Sequence, residues 1–306
     1  MKVAITGATG FVGSRLVERL HAQGDRILVF TRNSTSAQRV FPPQAYPNVE
    51  IVTYNPTESG VWQNAIARCD AVVNLTGEPI AEGRWTPQRK QEILKSRQLG
   101  TRKVVEAIAN ADPQPKVLVN ASAIGYYGTS ETATFDESSA SGNDFLAEVC
   151  RAWETEAQKV TDAGVRLVIL RLGIVLGMGG AIARMVTPFK LFAGGPIGTG
   201  RQWFSWIHRD DLVSLIIESL NREEIQGVAN ATAPNPVRMA EFCQIMGEVM
   251  NRPSWLPVPS FAIEALLGDG AIVVLEGQKV LPQQATAYNF QFKYPTAKQA
   301  LADILS

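Results

Sequence analysis

The stretch AITGATGFVGSRL, residues 4–16, decides how this chain is read. A short apolar run closes at Thr6, and three glycines follow at even spacing. Val12, Leu16, Val17 and Leu20 then recur at helical intervals until Gly24 stops them. Strand, glycine turn and helix in that order form the context in which a dinucleotide is held. The first glycine permits the tight turn, and the second lets backbone approach a diphosphate. The third lets helix and strand pack closely, while the helix N-terminus attracts the phosphates. The contacts expected on this loop are Gly7, Thr9, Gly10, Phe11, Val12 and Gly13.

Moving outward, apolar and β-branched runs bounded by Gly, Asn, Asp or Pro stand at residues 2–6, 26–31, 49–54, 71–75, 116–121 and 166–171. Helical patterns lie between them, and buried parallel strands read this way. The sequence therefore predicts an α/β chain with a doubly wound parallel sheet. Residues 1–176 form the dinucleotide-binding domain, and 203–232 return to it through a helix over 211–220. The remainder of 177–306 is expected to make a small C-terminal α/β lobe for substrate or partner. GMGGAIARM (177–185) and FAGGPIGTG (192–200) read as glycine-rich linkers.

The end of the second strand selects among dinucleotides. An acid usually meets the adenosine ribose about twenty residues after the glycines, but here the chain reads VFTRNS with no acid. Arg32 suits a 2′-phosphate and can stack on adenine, with Thr31, Asn33 and Ser34 beside it. NADP(H) is the cofactor expected. The fourth strand ends NLTGEP, which places Leu75, Thr76, Gly77 and Glu78 along the same edge, with Ala121 of the next strand. Arg84 and Arg201 sit in glycine- and tryptophan-bearing segments where a guanidinium could hold phosphate.

Bulk properties exclude other classes. With 29 basic and 29 acidic side chains the formal net charge is zero, so no basic surface for nucleic acid is expected. The basic run from Arg89 to Lys103 carries Glu92 within it and reads as a solvated helix face. Three cysteines without a CxxC pair and two histidines leave no cluster for a metal. The apolar stretch at 261–277 is interrupted by Glu264 and Asp269, too broken to span a bilayer. These features point to a soluble protein of a reducing, cytoplasmic compartment.

GATGFVG (7–13), DAVVNLTGE (70–78), LGT (99–101), SAIGYYG (122–128), RLGIVLG (171–177) and FSWIHRDDL (204–212) resemble the extended short-chain dehydrogenase/reductase superfamily. Longer stretches, including residues 77–102, 188–212 and the tail FKYPTAKQAL, are similar to its epimerase-like family with a C-terminal domain of unknown function. The resemblance implies a Rossmann fold, NADP(H) binding and relatives among sugar-nucleotide epimerases and dehydratases. It also implies an alternative role outside catalysis, structural, sensing or related to cell or plastid division, through a protein partner.

The resemblance further implies a Ser or Thr, a Tyr and a Lys, the last two four residues apart on one helix. DFLAEVCRAWE (144–154) supplies neither phenol nor amine: the candidates are Phe145 with Val149, or Leu146 with Cys150. Arg97 also departs, standing where the superfamily has asparagine. Ser122, Tyr126 and Tyr127 remain as catalytic candidates near the fifth strand. His208 and Cys150 read as structural.

Overall fold

The structure is a computed structural model that describes residues 1–306. Its centre is a parallel sheet of seven strands. Strands β1 (Lys2–Thr6), β2 (Arg26–Thr31), β3 (Val49–Thr53), β4 (Ala71–Asn74) and β5 (Val117–Ala123) come first in the chain. A two-residue strand β6 (Thr134–Phe135) lies apart from them, and β7 (Arg166–Leu172) rejoins the sheet. Three short strands, β8 (Ile174–Leu176), β9 (Trp203–Phe204) and β10 (Trp206–His208), intervene before β11 (Gly227–Ala231) closes the sheet. The spatial order is β3-β2-β1-β4-β5-β7-β11, reversing direction at β1 and β4. That reversal opens a crevice at the carboxyl edge, where such sheets bind ligands.

The alternation of apolar residues explains the two-sided burial. Val3, Ile5, Ile27, Val29, Val117 and Val119 face one layer, whereas Ala4, Leu28, Phe30 and Leu118 face the other. Helix α1 (Phe11–Ala22) buries Leu16, Val17 and Leu20 in the first layer, and α6 (Arg209–Asn221) lies beside it. The chain between them supplies α2 (Ser34–Val40), α3 (Pro87–Ala109), α4 (Phe145–Gln158) and α5 (Gly180–Lys190). Thr86 caps α3 by accepting from the Arg89 N–H, with proline at the helix start. Asp144 caps α4 in the same way, accepting from the Ala147 N–H at 2.8 Å.

Two elements differ from the sequence reading. The segment read as a linker at 177–185 begins α5, because Ile182, Val186 and Phe189 bury one helical face in a third core. Its leading glycines masked that periodicity. Strand β5 runs through Ala123, so Ser122 lies inside the strand and not beyond it.

The third core joins α5 to β9, β10, α7 (Met239–Met250) and the last helix, Ala297–Leu305, through Phe204, Trp206, Phe242, Met246 and Leu301. Between α7 and that last helix, α8 (Ser260–Leu267) and α9 (Ile272–Leu275) cross toward α3, where Lys90 donates to Asp269 at 2.7 Å. The chain then returns beside β5, and Gln278 donates to the Ile124 carbonyl at 2.8 Å. No helix is long and apolar enough to cross a membrane.

Candidate functional site

A cavity of about 490 Å³ opens at the carboxyl edge beyond β1, β4, β5 and β7. Gly7, Gly10, Phe11, Val12 and Gly13 line one end of it. Gly7 has φ +68°, and a Cβ there would stand 2.8 Å from the Leu75 carbonyl oxygen. At Gly13 a Cβ would lie 2.3 Å from the Gly7 oxygen, so this helix turn rests directly on the loop. The result is a side-chain-free approach to the N-terminus of α1, the geometry a diphosphate requires. The Phe11 ring packs against Gly177, Gly179 and Gly180 beneath the Arg209 guanidinium, which lies 4.9 Å from its centre.

Leu75, Gly77 and Ala121 continue the lining from β4 and β5. Thr76 shares a hydrogen bond of 3.0 Å with the Tyr54 hydroxyl, which fixes the loop after β4. Thr9 is exposed beside the glycines and does not line the cavity. At the end of β2, Thr31 is buried, and Asn33 caps α2 by accepting from the Ser36 N–H at 3.0 Å. Ser34 opens that helix. The Arg32 side chain is 73% exposed and donates to Glu78 at 3.1 Å, so it stands where an incoming ligand can reach it. Arg84 is placed elsewhere: it lies exposed over Gly268 and outside the cavity lining. Arg201 pairs with Glu131 at 3.6 Å on the surface.

The opposite wall is α4. Leu146, Val149 and Cys150 line the cavity, together with Trp153 one turn further on. Phe145 faces away and packs edge-on against Trp85 at 5.3 Å. The open choice of register therefore resolves to Leu146 and Cys150 as the pair, four residues apart, that faces the space. Burial pushes the Cys150 thiol up to about 12, and its Sγ contacts the Ala123 carbonyl at 3.6 Å. The wall is apolar and holds its one thiol protonated.

The three hydroxyl candidates share a single network behind this wall. Ser122 lines the cavity and donates to the Glu154 carboxylate at 2.6 Å. Arg171, 4% exposed, grips that carboxylate through two bonds of 2.8 Å. The same guanidinium donates to the Tyr127 hydroxyl at 3.0 Å, which in turn donates to Asn230 at 2.7 Å. Burial pushes the Tyr127 phenol up to about 12. The Tyr126 ring lies 3.3 Å under the Arg171 guanidinium and lines a separate groove on the far side of α4. Of these candidates the structure brings only Ser122 to the cavity.

His208 caps α6, its Nδ1 accepting from the Asp210 N–H at 3.1 Å, and burial lowers its pKa. No group of three or more His, Cys, Asp or Glu stands together to hold a metal. Glu154, Arg171 and the closing segment Ile272, Val273 and Glu276 were not singled out from the sequence. For Arg171, a charge within the otherwise apolar run VILRLGIVL (168–176) was the available signal, whereas Glu154 stands among other polar residues of its helix. Nothing local in the sequence pairs 272–276 with the glycine loop.

The match that decides the family covers most of this architecture: residues 3–231 fit the NAD dependent epimerase/dehydratase family. The chain belongs to this family. Residues 258–304, which carry α8, α9 and most of the last helix, match a domain of unknown function, DUF1731. Among relatives of this epimerase family, the chain is 54% identical to the chloroplastic epimerase family protein SDR39U1 homolog of Arabidopsis thaliana, over 100% of this chain and 87% of that protein. It is 39% identical to the epimerase family protein YfhF of Bacillus subtilis, over 100% and 98% of the two chains. Among solved structures it is similar to human epimerase family protein SDR39U1, isoform 2, crystallised with NADPH. There the TM-score is 0.86 at 35% identity, and 99% of each chain is covered.

Proposed function

We propose that this epimerase-family chain binds NADP(H) along the cavity and works on a small-molecule substrate without the Tyr–Lys proton relay. The observation that carries the reading is the cavity itself, which runs from the backbone-lined end of α1 to the apolar face of α4. The fit to a dinucleotide rests on three features. Gly10 leaves the N-terminus of α1 open to a diphosphate and Gly13 seats that helix on the loop, β2 ends in exposed Arg32 without an acid, and Gly77 lets backbone border a ribose. NADPH in the similar human protein agrees with this assignment. When bound, the nicotinamide supplies hydride chemistry. The chain's residues would orient it, exclude water with Leu146, Val149 and Trp153, and meet substrate from Ser122. We place the substrate or partner side in residues 177–306 apart from 203–232. We assign a reducing, cytoplasmic-type compartment on the three buried free cysteines.

A second reading, NADP(H) binding in a structural or sensing role through a protein partner, draws on the polar network. The Ser122 and Tyr127 hydroxyls are both engaged by protein groups. One experiment separates the two: fluorescence titration with NADPH and NADH, followed by turnover across sugar nucleotides and small carbonyl compounds. The proposal expects tighter binding of NADPH and slow turnover that Ser122→Ala lowers further. Absence of NADPH binding sinks both readings, and binding without turnover on any compound favours the second.

A further inference from the structure

Charge is spread unevenly over the cavity lining. Its one cationic side chain, Arg97, enters beneath Gly77 at the end of β4, where a Cβ would meet its Cζ at 2.9 Å. The two acidic side chains, Asp144 and Glu276, stand together beyond β5. Gly128 and Thr129 bring them to one place: Asp144 Oδ2 lies 3.4 Å from where a Gly128 Cβ would be, and the Thr129 hydroxyl donates to Glu276 Oε2. Both carboxylates have only neutral partners, since Asp144 Oδ1 accepts from the Ala147 N–H. Gln278 adds a third oxygen. It is 8% exposed and its Nε2 donates to the Ile124 carbonyl at 2.8 Å, so its Oε1 is turned toward the cavity with no protein donor. A buried oxygen left unmet is costly until a ligand supplies its partner. Arg238 and Lys279 approach the Trp203 ring at 3.8 and 5.0 Å, yet neither lines the cavity. The walls around the three oxygens are carbon, from Ile80, Leu146, Ile272 and Val273.

We propose that this end of the cavity takes an organic cation, a protonated amine on an apolar body, with Asp144 and Glu276 as the carboxylates that determine specificity. The proposal rests on the cofactor reading above and names the charge class of the substrate for it. A primary ammonium carries three donors, and Asp144, Glu276 and Gln278 Oε1 offer oxygens to all three. A phosphate or carboxylate in the same place would meet two carboxylates and a carbonyl dipole without a counter-charge, the arrangement by which a site rejects a wrong ligand. The substrate is therefore set apart from nucleoside diphosphate sugars, whose anionic bridge this end repels.

The test uses the full chain saturated with NADPH and three probes of one shape and different charge: benzylamine, benzyl alcohol and benzoate, each titrated by calorimetry at neutral pH. Benzylamine is expected to bind about tenfold or more tightly than benzyl alcohol, the measure of a charge-assisted hydrogen bond, and benzoate not to bind. Glu276→Gln and Asp144→Asn should each weaken benzylamine while leaving NADPH affinity within about twofold of wild type. Glutamine replaces an exposed side chain, and asparagine keeps the cap of α4, so both variants are expected to fold. Benzoate or benzyl alcohol binding as tightly as benzylamine overturns the proposal. Benzylamine affinity that neither substitution alters overturns it too, as does no benzylamine binding to the NADPH-bound chain; in all three cases the cofactor reading stands. Failure of wild type to bind NADPH overturns that reading instead, and the cation site is then judged by the same three probes on the free protein.

Discussion

The two ends of the cavity are made of different material. Beyond β1 the wall is backbone: glycines, a helix terminus and amide groups that carry no side-chain chemistry. Along α4 it is side chain, with Leu146, Val149, Cys150 and Trp153 presenting carbon, sulfur and an indole. The contrast teaches that holding a dinucleotide and moving a proton are separable constructions within one fold. A glycine loop is fixed by sterics, so its geometry follows from where side chains cannot fit. A proton relay depends on the chemical identity of two side chains, and a hydrophobic helix face can replace them without disturbing the fold.

The largest expected effect lies behind the α4 wall. Arg171→Met leaves the Glu154 carboxylate, whose side chain is 11% exposed, without its bidentate partner. Removing one member of a buried ion pair costs about 3–5 kcal/mol, which urea denaturation would register as a lowered midpoint. A midpoint within error of wild type would mean that Ser122 and solvent in the outer groove satisfy Glu154 unaided.

Next comes the glycine end. Gly13→Ala places a methyl 2.3 Å from the Gly7 oxygen and 2.7 Å from the Ala8 Cα, both backbone. Overpacking of this kind costs about 1–3 kcal/mol, and the displaced loop should also lose NADPH affinity. Unaltered stability together with unaltered NADPH binding would show that the loop yields more readily than its contacts imply.

Arg32→Ala tests the outer rim of the same end. NADPH should bind about tenfold more weakly, the measure of one charge-assisted hydrogen bond, and NADH should bind as before. Equal loss for both cofactors would shift the role of Arg32 from the 2′-phosphate to the adenine ring.

The smallest effect concerns the staple that holds α1 against α6. Arg15 donates to both oxygens of Asp210, at 2.8 and 2.9 Å, and holds that carboxyl below its ordinary value. A depressed folded pKa adds stability above the unfolded value of about 3.9, and that stability fades as pH falls through the lower folded value. Because the pair is partly exposed, its share is under about 1 kcal/mol. Thermal melts between neutral pH and about pH 3 should show a shallower acid decline in Asp210→Asn than in wild type. Parallel curves would mean that other carboxylates govern the acid limb.

What the sequence made legible follows the same division. Strands β1 and β2 were readable to the residue, because strands buried on both faces give uninterrupted apolar runs. The glycine loop was readable because its spacing is local. Helix α5 was not: two glycines of positive φ, Gly179 at its cap and Gly180 at its first position, resemble a linker until Ile182, Val186 and Phe189 are seen to share a face. At the site, the choice between Phe145 and Leu146 turned on one residue of helical register, about 100° of rotation, which Trp85 settles by taking Phe145 to the other side. Glu154 and Arg171 meet across 17 residues of sequence, and Gln278 reaches Ile124 across 154. Pairings at such separations leave no local pattern to read.

The bond from Ser122 to Glu154 sets the hydrogen-bond polarity of the cavity floor. A hydroxyl has one hydrogen and two lone pairs, and the Ser122 hydrogen points at Glu154. The Cys150 thiol likewise turns toward the Ala123 carbonyl. Toward the cavity, the Ser122 oxygen therefore presents electron pairs alone. A ligand carbonyl placed against it would set lone pair against lone pair, whereas an alcohol, an amide N–H or a water would find an acceptor. This corner of the cavity selects for molecules that bring their own hydrogen.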